Sequence, residues 1–372
     1  MTPPRSGTYG DTMPDTRPVL LAAPDPARRQ PLELFAAQAT AAVGDREKGF
    51  ALPIDHPTLF PLPGRGSTRA LWESLATLGA TDLSLARMLE PHLDARAILA
   101  EAKEPSQTTR DAAPVPDIGQ GTWGVFAAEG AGMRVVASRE GDQVVLSGRK
   151  PWCSLAGSLS HALVTAWVDE NRRGLYAAPL THPGVEVDDA AGWVARGLRD
   201  VPSVPVSFSD VPVVPIGEPG WYLERPGFAW GGIGVAVIWF GATVAIARRV
   251  FEQAHQRQLD QIGQSHLGAI DAAITGARSV LASAADLADS GTTDRAEAAI
   301  AALRCRRVAA ETAETVLWRS DHALGPAPLA LEEEHAARVA DLRLYVRQEH
   351  AERDQAALGR ALVTGAHDAS PW

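Results

Sequence analysis

Residues Gly121 to Val168, GTWGVFAAEGAGMRVVASREGDQVVLSGRKPWCSLAGSLSHALVTAWV, form the least helical and most turn-punctuated part of the chain. Two short, largely apolar runs, Met133 to Ser138 and Gln143 to Ser147, flank the dipeptide Gly141-Asp142. Strand-favouring residues on either side of residues that tolerate turn geometry predict a β-hairpin. A glycine-rich turn, Gly130-Ala131-Gly132, precedes it, and Trp152, Cys153 and Ser154 follow it.

Working outward, the texture stays strand-like to about Pro219. HALVTAWV, GLYAAPL, GVEVDD and VPVSFSDVPV are short runs separated by Gly, Pro and Asp-Asp, which predicts an antiparallel β-barrel or sandwich. Before it, Glu104 to Gly121 reads as a polar, proline-rich linker and Phe50 to Arg65, with four prolines, as a loop. Helices are predicted from Pro31 to Gly44, from Ser67 to Gly79, and from Thr81 onward, with Pro91 splitting or kinking the last. After Pro226 four helical patterns follow: Gly227 to Gln261, Ser265 to Ser290, Thr292 to Gly325 and Leu331 to Thr364. Short polar breaks between them predict antiparallel neighbours, hence a four-helix bundle. The expected fold is therefore α+β: a tail over 1–28, a helical domain over 29–110, a β-domain over 111–222 and a helical bundle over 223–372.

Composition narrows the function. A net charge of -10 with no basic, aromatic-interleaved patch argues against nucleic acid as a partner. Cys153 and Cys305 show no pairing pattern, which suits a reducing cytoplasm. The opening residues lack an apolar core of the secretory type and read as a mobile tail. Gly227 to Ala247 carries no charge over a bilayer-spanning length, yet its five glycines and the absence of a second such segment favour a buried core helix over a membrane span. The histidines lack metal-ligand spacing, and there is no Walker loop, GxSxG or strand-linked GxGxxG; no metal is expected.

The order helices, β-domain, bundle, together with several motifs, resembles the acyl-CoA dehydrogenase family over nearly the whole chain after residue 30. FAAEGAGMR, Phe126 to Arg134, is similar to the family's TEPGAGSD loop beside the flavin; the Gly-Ala-Gly is kept and the Thr-Glu-Pro part is replaced by Ala127-Ala128-Glu129. LSGRKPWCSLAG, Leu146 to Gly157, resembles NGxKxWITNG, which implies that Trp152 packs on the flavin and that the Ser154 hydroxyl bonds the ring near its reactive nitrogen. WVARGLRDVPSVPVSFSDVPV, Trp193 to Val213, resembles GMRxSGSxxVxFxDVxVP and is the most specific likeness.

In the bundle, the resemblance offers Arg257 as the nearest candidate for an arginine that binds the flavin pyrophosphate. ARVADLRLYVRQEHAERD, Ala337 to Asp354, resembles RDxxIYxIYEGT: Asp341 and Tyr345 align without gaps, and the family's catalytic glutamate falls on Glu349. The competing reading of Glu349 is one more charge on a solvated helix face. His350, by similarity to the flavin monooxygenase relatives of this fold, is the rival catalytic residue.

The resemblance thus implies catalytic Glu349 or His350, and cofactor contacts at Phe126, Ala127, Gly132, Trp152, Cys153, Ser154 and Arg257, with Cys153 a small filler and not a nucleophile. It implies FAD as cofactor and an acyl-CoA or other acyl thioester as substrate. It also implies a homodimer or homotetramer and an electron-transfer partner. The expected activity is α,β-dehydrogenation. Reduced-flavin monooxygenation and a non-catalytic subunit or scaffold role are the alternatives.

Overall fold

The computed structural model describes residues 17–22, 25–104, 116, 119, 121–188, 192–256 and 258–364. Most of the predicted linker, and Arg257, lie outside these residues.

The first unit holds α1 (Pro26–Ala41), α2 (Arg46–Asp55), α3 (Thr68–Thr81) and α4 (Leu83–Ala102). Aspartates at 25, 45 and 82 cap α1, α2 and α4, each accepting a bond from a first-turn N–H. The sequence reading differs in three places. Helix α1 starts at Pro26, inside the stretch read as a tail, and residues 17–22 are fastened: Val19 N donates to Thr77 Oγ1 (3.1 Å) and Leu21 N to the buried Glu73 carboxylate (2.9 Å). Helix α2 occupies part of the predicted loop, with Pro53 in its last turn. Finally, α4 runs unbroken through Pro91; the proline removes only the bond that Arg87 O would accept.

The β-unit contains β1 (Trp123–Phe126), β2 (Val135–Glu140), β3 (Gln143–Ser154), β4 (His161–Trp167), β5 (Arg173–Pro179), β6 (Val185–Val187) and β7 (Ser203–Ile216). The predicted hairpin is β2–β3, closed by Gly141-Asp142 with Glu140 opposite Gln143 and Gly141 at φ +60°. The prediction of a purely antiparallel sheet needs correction: β1 and β2 both pair parallel to β4, and the remaining pairings are antiparallel. The strands join in a ring, β4–β2–β3–β7–β5–β4, in which the β2–β4 link is the single pair Val136–Trp167.

The last unit comprises α5 (Trp221–Glu224), α6 (Gly227–Gln256), α7 (Gln261–Asp289), α8 (Arg295–Leu324), α9 (Ala327–Leu331), α10 (Glu333–Tyr345) and α11 (Glu352–Thr364). Helix α6 is the apolar segment noted in the sequence. It is long and apolar enough to cross a bilayer, but 83% of its most apolar window is buried inside the protein, where it packs between α3 and α8. Its glycines permit this: a Cβ at Gly241 would run into the backbone of Ala76 on α3. Its own Trp239 is fully buried, as are Trp72 of α3 and Tyr345 of α10. The fourth predicted helix is two helices: the chain leaves helical geometry at Glu349 and turns at Ala351, φ +49°, before α11 begins.

Candidate functional site

The far end of β3 is where the sequence pointed. Its pairing with β7 shifts register between Lys150 and Cys153, and Trp152 sits there at φ +60°, followed by Leu155 at +58°. A bulge of this kind re-aims a side chain. Trp152 is turned outward, 58% exposed, while Cys153 is fully buried. The Gly130-Ala131-Gly132 turn lies alongside, since a Cβ on Gly130 would touch Pro151, and Gly132 at φ +74° has open space around it. An exposed indole beside an open glycine turn is a cradle for a planar aromatic group, and the residues present fit a flavin ring at this place.

The other residues expected on the flavin are placed differently. The Phe126 and Cys153 side chains point into the core, and burial pushes the Cys153 thiol up to about 12. Ala127 is half-buried, and its carbonyl accepts from Thr165 Oγ1 at 3.5 Å. Ser154 Oγ faces inward, 2.7 Å from Ser203 Oγ and 3.1 Å from Arg87 Nη2. Glu129, displaced by one position from the family pattern, anchors the glycine turn. Its carboxylate accepts from the buried Lys150 Nζ (2.7 Å) and from Trp167 Nε1 (3.0 Å), and Arg173 lies at 3.1 Å. Burial works to raise the Glu129 pKa, but the hydrogen bond and charge of Lys150 outweigh it and hold the carboxyl below its ordinary value.

Behind Ser154 a polar network crosses the helices. Arg87 Nη1 donates to Glu90 Oε2 (2.7 Å), and the Tyr345 hydroxyl donates to the same oxygen (3.3 Å). Burial raises the Glu90 pKa against the opposing charge of Arg87. Asp94, one turn further along α4, accepts from Arg225 Nη2 at 3.3 Å, and Glu101 accepts from Arg225 Nη1 at 2.9 Å. Sequence reading missed this network. The clue was available: Glu90, Asp94 and Glu101 fall on one face of a helix whose buried residues are otherwise apolar.

On the bundle side, Arg306 donates to Gly232 O (3.0 Å) on α6 and to Gln348 O (2.7 Å), with its guanidinium 5.0 Å from the Trp239 ring centre. It thereby pins the residue immediately before Glu349. The Glu349 side chain is 4% exposed and 3.6 Å from Arg307 Nη1. Its Oε2 accepts from Ala351 N (2.9 Å), and its Oε1 is buried without a hydrogen-bond partner among the described residues. His350 is turned the other way: its ring is 66% exposed and 3.3 Å from Asp354. The helix break therefore separates the two candidates, with the glutamate inside and the histidine outside.

One loop ties the β-unit to this region. Leu198, at φ +50°, donates its N–H to Asp341 Oδ1 on α10 at 2.5 Å, and Gly197 packs against the backbone of Ala340, where no Cβ would fit. Burial, with Asp82 and Asp200 nearby, raises the Asp341 pKa to about 6.

The architecture, helices then a strand unit then a helical bundle, is the acyl-CoA dehydrogenase fold. The butyryl-CoA dehydrogenase structure from Megasphaera elsdenii superposes with a TM-score of 0.69 at 19% identity, covering 89% of this chain and 88% of that one. FMN-bound TdsC from Paenibacillus sp. A11-2 does so at 0.73 and 17% identity, covering 91% and 97%. A complex of KijD3 with FMN and a dTDP-linked amino keto sugar gives 0.74 at 17%, covering 93% and 96%. No curated protein matches the sequence. Residues 218–345 match the family model described as acyl-CoA dehydrogenase, C-terminal domain, a span that ends four residues before Glu349. The sequence thus resembles that family's C-terminal domain over residues 218–345, and the chain shares the fold of the family's solved structures.

Proposed function

We propose that this protein is a flavin-dependent oxidoreductase that dehydrogenates an acyl thioester, with Glu349 as the base. The observation that carries the reading is the Glu349 carboxylate: buried, on a loop fixed by Arg306, with Oε1 lacking a partner among the described residues. An unpaired buried acceptor costs about 1–3 kcal/mol, so its retention calls for a use. A flavin, taken as FAD, supplies the two-electron acceptor at the Trp152 cradle. Glu349 Oε1 removes the proton next to the thioester carbonyl as the β-hydrogen leaves with its electron pair, which gives the α,β-unsaturated product. Arg306 and the Ala351 N–H hold the carboxylate in place. The packed helices exclude water from it. The reading includes a cytoplasmic location, supported by two free cysteines, and a homodimer or homotetramer served by an electron-transfer partner.

The test is Glu349→Gln, mixed anaerobically with a panel of acyl-CoAs. Flavin bleaching is expected to slow by about 10²–10⁴-fold with the flavin still bound, the usual range for a lost general base. Bleaching at the wild-type rate would remove Glu349 from the chemistry.

A second reading, monooxygenation with reduced flavin, has one observation in its favour: the exposed His350 paired with Asp354. It expects no bleaching by any acyl-CoA in the wild-type protein, and loss of oxygen transfer in His350→Ala. A protein that purifies colourless and takes up no flavin would instead be the non-catalytic relative.

A further inference from the structure

Two neighbouring arginines of α8 meet the Glu349 loop, and they treat it differently. Arg306 donates to Gln348 O (2.7 Å) and fixes the chain just before the glutamate. Arg307 reaches toward the carboxylate itself and stops short. Its Nη1 is 3.6 Å from Glu349 Oε2, where a charge-assisted hydrogen bond would close to about 2.7–2.9 Å. The rest of the guanidinium fork is engaged elsewhere. Nε and Nη2 both reach Glu311 Oε1, one turn along α8, at 2.7 and 2.6 Å. The same two nitrogens face the Gln355 side chain of α11. Its amide oxygen, in the orientation that satisfies both groups, accepts from Nε at 2.6 Å and from Nη2 at 3.1 Å. The partners differ in strength. Glu311 is an i,i+4 partner with a side chain 53% exposed, and such surface pairs are worth little. The Glu349 side chain is 4% exposed, so water screens its attraction for a cation far less. Helix α11 packs along α8 and buries none of its own residues, which makes polar contacts such as Gln355 the means of its docking.

We infer that Gln355 is a positioning residue for the candidate base: with α11 docked on α8, it draws Arg307 aside and keeps the guanidinium from closing on Glu349. The inference rests on the proposed function for the role of Glu349, and adds what controls that residue. With Gln355 withdrawn, only the exposed Glu311 opposes the pull of the buried carboxylate, and Nη1 moves the remaining distance to pair with Oε2. A carboxylate paired with a guanidinium is a weaker base, because the neighbouring positive charge favours its ionised form. Arg307 is thus a restrained inhibitor of the site. Docking of α11 leaves Glu349 free to take a proton, and displacement of α11 turns the base off. Arg306 plays no part in the change, since its bonds go to the backbone at Gly232 and Gln348.

The test uses the full-length, flavin-loaded protein and two measurements. In the first, anaerobic bleaching by butyryl-CoA and hexanoyl-CoA is followed. Gln355→Ala is expected to slow it about tenfold, and the double variant Gln355→Ala with Arg307→Gln to restore it. Loss of a helix contact alone would not be repaired by a second substitution. The second measurement involves no turnover. The coupling between Arg307→Gln and Glu349→Gln in urea unfolding, expressed as a ratio of folding constants, is expected to be about tenfold larger in the Gln355→Ala background than in wild type. Equal coupling in the two backgrounds would overturn the inference. So would slower bleaching in Arg307→Gln alone, which would make Arg307 a support of the base. If neither acyl-CoA bleaches the wild type, or if Glu349→Gln bleaches normally, the proposed function fails and the coupling alone decides this inference. If Glu349→Gln abolishes bleaching and Gln355→Ala leaves it at the wild-type rate, the inference fails by itself.

Discussion

Replacing Asp341 by Asn isolates the electrostatic cost of the joint between the β-unit and α10. The carboxyl is buried, flanked by Asp82 and Asp200, and countered by Arg338, and its pKa stands at about 6 against an ordinary 3.8. The sign follows from proton binding. Between those two values the folded protein holds the proton that the unfolded chain has released. The group's contribution therefore favours folding most below 3.8, and that advantage is lost as pH rises through 6. The gap corresponds to about 3 kcal/mol, at about 1.4 kcal/mol per pKa unit. Asn keeps an oxygen to accept from Leu198 N and never ionises. Urea unfolding is expected to show Asp341→Asn more stable than wild type by about 2–3 kcal/mol at pH 8, and equal to it within error at pH 4. Other carboxylates titrate over the same range, so the quantity to plot is the difference between the two proteins, in which their terms cancel. A difference that stays flat from pH 4 to pH 8, or has the opposite slope, would refute the reasoning.

Three further outcomes are expected. Gly241→Val drives a branched side chain into the Ala76 backbone and should cost about 3 kcal/mol or more, read as a lowered urea midpoint. Trp152→Ala removes a side chain already 58% exposed, so unfolding should change by less than about 0.5 kcal/mol while flavin retention on gel filtration falls; a large stability loss with full flavin retention would contradict the cradle. Native Cys153, buried and held near 12, should resist alkylation at pH 8 and react only in urea; rapid native labelling at that residue would show the strand end to be open.

The local features were legible in the sequence. The hairpin turn at Gly141-Asp142 needs only a positive φ and flanking strand formers, and counting from Asp341 and Tyr345 is what makes Glu349 the candidate base. What escaped was set by distance along the chain. Parallel pairing of β1 and β2 with β4 has no local signature, because both partners lie beyond intervening strands. Arg225 meets Asp94 across 131 residues and Tyr345 meets Glu90 across 255, so charges that look like a solvated helix face in sequence are enclosed in the fold. The break that frees Glu349 carries neither Gly nor Pro; Ala351 takes a left-handed turn that its residue type does not announce.

Among the described residues, non-glycine residues at positive φ occur at Trp152, Leu155, Leu198, Asp210 and Ala351, and each such position costs on the order of 1–2 kcal/mol. They do not lie in arbitrary loops. Leu155 donates its N–H to Pro202 O (2.9 Å) and Asp210 to Ser147 Oγ (3.2 Å) within the β-unit, whereas Leu198 donates to Asp341 across the joint to α10 and Ala351 donates to the candidate base Glu349. Strain persists only where the surroundings over-determine it. Here the surroundings are the Ser203 strand, the α10 clasp and the loop anchored by Arg306, which together hold an exposed indole at one end and a buried, half-satisfied carboxylate at the other. A chain that needed only to fold would relax each position with a glycine. One that keeps side chains at all five positions holds Trp152 and the Glu349 loop each in a defined place, which is what the proposed proton removal would need of them.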